Sequence, residues 1–179
     1  DCLPYDRLSP NSGISSRRLS LLTDLAQNAS SKYIILTTVN AATQRIPNRL
    51  VLSSATFQAE VGQRIDLDQL YSFFSKMGFS KNSTVSEPGD YAVRGGIIDI
   101  FPPGEAGPIR LDLFGDILDG VRKFDPITQR TVSKMRDIRL APASEVFLDE
   151  TSIARFRQNY RKEFGLSLIH ISEPTRRRG

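Results

Sequence analysis

The sequence predicts a mixed fold: an α/β piece, a truncated parallel-sheet half-domain, followed by an α+β domain with a mixed, largely antiparallel sheet and one main helix. Three observations carry this. Lys32–Thr38, KYIILTT, is a continuous apolar and β-branched run, the pattern of a strand covered on both faces. One amphipathic helical stretch follows Asp66. After it come closely spaced β-branched runs separated by turn residues, which argue antiparallel pairs.

Taken in order, Ser12 and Ser15 can cap a helix with Ile14, Leu19, Leu22 and Leu25 on one side. The Lys32–Thr38 strand comes next, then a short helix over Asn40–Arg45 stopped by Pro47. A second unit starts near Phe57. Asp66 is an N-cap, and Leu67, Leu70, Tyr71, Phe74 and Met77 recur at helical spacing up to Gly78. Strands are expected over Thr84–Ser86, Asp90–Arg94, Gly96–Phe101, Pro108–Phe114, Ile117–Phe124 and Ser133–Leu140. Pro88-Gly89, Pro102-Pro103-Gly104, Gly115-Asp116 and Asp125-Pro126 punctuate them. A last helix runs from Thr151 to Phe164, with Ile153, Phe156, Tyr160 and Phe164 on one stripe.

With 179 residues, 39% hydrophobic and 25% charged, the chain has an ordinary globular composition, so a disordered tail or a coiled coil is excluded. The longest unbroken apolar run, Tyr33–Leu36, is far too short for a membrane-spanning helix. Asp1 opens the chain without a Met or a leader, which reads as a piece whose N-terminus lies upstream. The single cysteine, Cys2, cannot form an internal disulfide and fits a reducing, cytoplasmic setting.

The net charge of +4 hints at nucleic acid, but the ending distorts it. Leu166–Gly179 reads LSLIHISEPTRRRG, and its stretch Leu166–Arg176 resembles a translated sequencing adapter, so 166–179 is read as a non-native tail. Without its three arginines and one glutamate, 21 basic and 19 acidic residues leave +2. Direct DNA binding would then release few counterions, and the remaining cations form no stripe with interleaved aromatics.

Enzymatic chemistry finds no foothold in these residues. A phosphate-binding loop needs Gly-Lys-Ser/Thr, and no Gly-Lys pair exists. Val146–Glu150 imitates a Mg²⁺-holding strand end, but Asp149 and Glu150 read better as the start of the final helix. The only histidine, His170, lies in the tail, so a serine or cysteine nucleophile lacks a histidine base. One cysteine cannot seed a structural zinc site. No catalytic residue, metal ligand or cofactor site is assigned.

What stands out is one strand face. In Ile109–Phe114 the alternation puts Ile109, Leu111 and Leu113 toward the core and Arg110, Asp112 and Phe114 on the other side. Arginine beside an aromatic is the composition of binding hot spots. Arg94 ends another strand of the same sheet and, if the strands are neighbours, extends the patch. A plainer account has Phe114 covering the strand end at Gly115-Asp116 and Arg110 paired with Asp112 or another surface acid. On the docking account Arg110→Ala weakens binding without unfolding the domain.

Several motifs in one order add a resemblance. Glu87–Phe101, EPGDYAVRGGIIDIF, is followed by Pro108–Phe114, PIRLDLF, and Phe124–Thr131, FDPITQRT. Leu3–Asp6 with Ser9-Pro10, Thr37–Asn40 with Gln44-Arg45, and the helix segment Arg155–Tyr160 accompany them. Over Asp1–Gly165 the chain resembles the N-terminal UvrB-homologous region of the bacterial transcription-repair coupling factors (Mfd). The resemblance implies that 1–57 is the C-terminal part of a UvrB-like domain 1a, 58–146 is the UvrA-docking domain 2, and 147–165 starts domain 1b. It implies partner-binding roles for Arg94, Arg110 and Phe114, and for Arg122 in a similar motif. In that family the parent recognises stalled RNA polymerase, acts on DNA through a translocase motor using ATP and Mg²⁺ that is not in this chain, and recruits UvrA. The alternative is part of UvrB itself, or of a related superfamily 2 helicase, contributing to ATP-dependent DNA binding and repair.

Overall fold

The computed structural model describes residues 12–28 and 32–164. Cys2, the motif around Leu3–Pro10 and the tail 166–179 with His170 lie outside the described residues. The chain divides into two compact units, one up to Val146 and one from Phe147. Its class is mixed: helices, a two-stranded sheet and a six-stranded sheet with one main helix.

In the first unit, α1 spans Ser12–Gln27. Its buried stripe is Ser16, Leu19, Thr23 and Ala26, and Ile14 is 69% exposed. The expected side through Ile14, Leu22 and Leu25 is therefore rotated. Small residues on the buried side let a short helix approach closely: α3, Arg49–Ser54, follows α2, Val39–Ala42. Arg49 Nε donates to the Ala26 carbonyl at 3.3 Å, and Gln27 Nε2 to Thr56 Oγ1 at 2.9 Å. The buried Thr23 hydroxyl is satisfied by donating to the Leu19 carbonyl at 2.9 Å. Thr38 caps α2 and Asn48 caps α3 through their side-chain oxygens. The sequence signals placed α2 but missed α3, whose Asn48 cap follows directly on the helix-stopping Pro47.

The expected strand Lys32–Thr38 does not form. Residues 32–38 are irregular and exposed, with Ile34 at 95% and Leu36 at 93%. A strand exists only where neighbours take its backbone hydrogen bonds, and no described residue pairs with this run.

The rest of the unit follows the predicted rhythm. Strand β1, Phe57–Glu60, pairs antiparallel with β8, Asp137–Leu140, so the two ends of the domain meet. The main helix α4, Leu67–Lys76, starts where Asp66 accepts the Gln69 amide at 3.0 Å. It ends just before Gly78, whose φ of +79° suits glycine; a Cβ there would sit 2.4 Å from Ser144 Cβ. The large sheet runs β2 (Ser80–Lys81), β3 (Asp90–Arg94), β4 (Ile97–Ile100), β5 (Ile109–Phe114), β6 (Ile117–Phe124) and β7 (Thr131–Met135) in spatial order. Only the β2–β3 pair is parallel. The Thr84–Ser86 strand is absent, its place in the sheet taken by β2, and the expected Ser133–Leu140 strand breaks at Arg136 into β7 and β8.

One face of this sheet is the core. Ile98, Ile100, Ile109, Leu111, Leu118 and Val121 pack with Leu70 and Phe74 of α4 and with Ile138 and Leu140 of β8. Phe74 stacks on Tyr91 at 4.3 Å between ring centroids. With α4 on the core side, the period-2 alternation sends the intervening side chains of β3–β6 to the opposite face.

In the second unit, α5 spans Glu150–Phe164. Asp149 accepts from the Ser152 amide at 2.7 Å and the Ser152 hydroxyl at 3.1 Å, bonds that hold its carboxyl below the usual aspartate range. The acidic pair that imitates a metal-holding strand end is thus a helix start. Within α5, Phe156 and Tyr160 lie with ring centroids 5.7 Å apart. Among the described residues no helix is long and apolar enough to cross a membrane.

Candidate protein-docking face

The face opposite α4 is built by register. Across the ladder Asp99 lies opposite Arg110 and Arg110 opposite Arg122; one step along, Arg94 lies opposite Ile97, Ile97 opposite Asp112 and Asp112 opposite Gly120. Asp99 and Arg110 form an attractive pair directly across β4 and β5, whereas Arg110 and Arg122 are like charges directly opposite, and the diagonal Asp112 offsets their repulsion.

Asp99 is the hub. Its residue is 2% exposed, and its carboxylate accepts three hydrogen bonds: from Arg94 Nη2 at 2.5 Å, Arg110 Nε at 2.6 Å and Arg110 Nη2 at 2.9 Å. The Arg110 contact is a two-pronged fork that fixes the guanidinium plane. That plane also lies 4.4 Å from the centroid of the Phe124 ring, within cation–π range. Hydrogen bonding to Asp99, against the opposing effect of burial, raises the Arg110 pKa above its ordinary value. The strands of Arg94 and Arg110, β3 and β5, are not neighbours; β4 lies between them, and the two arginines converge through its Asp99.

The plainer pairing expected from sequence is replaced by a different one. Arg110 binds the buried Asp99, and Asp112 instead accepts from Arg122 Nη2 at 2.6 Å. Gly120 leaves room for that pair: a Cβ there would lie 3.3 Å from Asp112 Oδ2. The Arg110 side chain is only 17% exposed, against 35% for Arg122 and 54% for Arg94. Arg110 is a clamped group and not a free surface cation. Truncating it strips two of the three bonds from a buried carboxylate, so the expectation that Arg110→Ala spares the fold is revised.

Phe114 does not cover its turn. It ends β5 at 80% exposure, opposite Ile117, itself 45% exposed. Just before it the β5–β6 register shifts between Asp112 and Leu113, skipping Asp119 on β6, a bulge that re-aims the strand end. Gly115, at φ +64°, then turns the chain. The neighbouring hairpin uses Gly95 at φ +60° and Gly96, whose Cβ would sit 2.7 Å from the Leu113 carbonyl. A glycine at 96 is what lets β4 close against β5 beside Arg94.

Sequence reasoning nominated Arg94, Arg110, Phe114 and Arg122, and all four lie on this sheet. It missed Asp99, Phe124 and Gln129, whose Oε1 accepts from Arg110 Nη2 at 2.8 Å. Asp99 had a signal: a lone acid inside Ile97–Ile100 is buried with its neighbours and requires cations. Gln129 had none. Among the described residues no three His, Cys, Asp or Glu side chains converge as a metal site would need. The sequence has no Gly-Lys loop for ATP phosphates.

This sheet is a known kind of module. Residues 57–146 match the UvrB interaction domain family, and the chain belongs to it. The chain is also similar to transcription-repair-coupling factors along most of its length. It is 39% identical to that of Haemophilus influenzae over 165 residues, 92% of this chain, and 36% identical to that of Escherichia coli over 164 residues. The Myxococcus xanthus protein is 36% identical over 152 residues. The chain spans only 13–14% of the length of these relatives.

Proposed function

We propose that residues 57–146 form a protein-docking module that recruits UvrA within a transcription-repair coupling factor, in transcription-coupled nucleotide excision repair in the bacterial cytoplasm. The observation that carries it is the pairing of an 80%-exposed Phe114 with guanidinium groups already fixed by Asp99 and Asp112. A partner supplies an apolar pocket for Phe114 and carbonyl or acidic groups for the outward N–H groups of Arg94, Arg110 and Arg122. Because the arginines are held before the partner arrives, little side-chain entropy is left to lose. Burying Phe114 contributes about 1.5–3 kcal/mol by area. RNA polymerase, DNA, and a motor using ATP and Mg²⁺ belong on this reading to the parent protein beyond this chain. A UvrB or helicase assignment has less support, since the relatives named above are all coupling factors.

The test is binding of the chain to purified UvrA, with Phe114→Ala and Arg94→Ala beside it. These two residues are the most exposed of the four, and affinity should fall in both. The folding transition should be unchanged in Phe114→Ala and slightly lowered in Arg94→Ala, which removes one of the three bonds to Asp99. Equal affinity in all three would return Phe114 to the status of an isolated surface aromatic.

A further inference from the structure

The loop joining β6 to β7, residues 125–130, is more elaborately held than a surface connection requires. The Asp125 carboxylate accepts the Ile127 amide at 3.0 Å, the Thr128 amide at 2.7 Å and the Thr128 hydroxyl at 3.0 Å. The Asp125 amide donates to the Arg130 carbonyl at 2.9 Å, and the Gln129 amide to the Asp125 carbonyl at 2.8 Å. Gln129 has φ +59°, the one non-glycine in the left-handed region among the described residues. Glycine would adopt that conformation without strain. What glutamine adds is a side chain that bridges: Nε2 donates to the Pro126 carbonyl at 2.9 Å while Oε1 accepts from Arg110 Nη2 at 2.8 Å. At the tip of the loop so fixed stands Ile127, 90% exposed.

We infer that this loop is the second half of the docking face, with Ile127 as an apolar anchor at the opposite end from Phe114 and Gln129 as a positioning residue for Arg110. This rests on the docking reading above and deepens it. The occupant is the same partner, which must then offer apolar seats at both ends of an acidic or carbonyl-rich centre. The grounds are continuity and rigidity. The Gln129 amide joins the loop to Arg110, and a loop closed by these bonds displays Ile127 with little freedom left to lose on binding. An exposed isoleucine on a mobile loop would carry no such advantage.

The experiment measures affinity of the whole chain for UvrA, and thermal stability, for Phe114→Ser, Ile127→Ser, Gln129→Gly and Arg110→Lys. Ile127→Ser should weaken binding about tenfold with an unchanged melting temperature. Gln129→Gly relieves the left-handed strain, so stability should hold or rise while affinity falls about fivefold. In the Arg110→Lys background, Gln129→Gly should have no further effect, because lysine lacks the fork that Gln129 steadies. An additive loss there would overturn the positioning role. Unchanged affinity in either loop variant, beside a weakened Phe114→Ser, overturns the inference and leaves the docking reading standing. No binding by the unsubstituted chain, or equal binding by Phe114→Ser, overturns both.

Discussion

Tyr33–Leu36 and Ile97–Ile100 are alike as sequence, two short apolar stretches of which the second is interrupted by Asp99, and they meet opposite fates. Ile98 and Ile100 are fully buried, whereas Ile34 and Leu36 are more than 90% exposed. The difference lies in what surrounds them. Ile97–Ile100 has β3 on one side, β5 on the other, and the α4 side chains Leu70 and Phe74 over its apolar face. Tyr33–Leu36 has no ladder partner among the described residues. An apolar run thus states what a segment would gain by burial, and neighbours decide whether burial happens. The one polar residue in the buried run, Asp99, is the one that organises the candidate docking face.

The largest expected effect that sharpens this contrast is on the buried run. Ile98→Ala should lower unfolding free energy by about 2–5 kcal/mol, read by chemical denaturation, because it leaves a cavity between α4 and the sheet. Asp99→Ala should cost about 3 kcal/mol, since Arg110 would keep its charge at low exposure without its carboxylate. It should also weaken UvrA binding beyond what its stability loss explains. By contrast, Ile34→Ser should change stability by no more than about 0.5 kcal/mol. A cost like that of Ile98→Ala would mean Tyr33–Leu36 is covered after all, and the comparison would collapse.

The smallest expected effect is a pH dependence of the 125–130 loop. Its hydrogen bond with the Thr128 amide, foremost, lowers the Asp125 pKa below the ordinary aspartate value. A carboxyl depressed in the folded state stabilises above its unfolded pKa, and that contribution is lost as pH falls through the folded one. Protection of the Thr128 amide from hydrogen exchange should therefore be full near neutrality and fall on acidification below the ordinary carboxylate range. Protection that persists there would show that the backbone bonds alone hold the loop.

Much of the sheet was legible because its signals are local. Asp66 and Gly78 bracket α4 by capping chemistry, and glycine or Asp-Pro turns bound β3 through β6 within a residue or so. The alternation in Ile109–Phe114 placed Arg110 and Phe114 away from the core without any knowledge of neighbours. Local signals failed where the outcome depended on a partner. The buried side of α1 was turned by α3, and the expected Ser133–Leu140 strand divides because β7 pairs with β6 and β8 with β1.

By itself, then, the sequence determined the mixed class, the main helix and four strands of the large sheet, and it put Arg110 and Phe114 on the side away from the core, since capping, turn chemistry and period-2 alternation act over a few residues. Arg122 was nominated by the family resemblance alone. Only the tertiary structure decided which carboxylate holds which arginine, that Arg110 is clamped and Phe114 free, and that Gln129 reaches back to the sheet. Those facts depend on strand register, which brings residues 99, 110 and 122 side by side, and register is a property of paired chains.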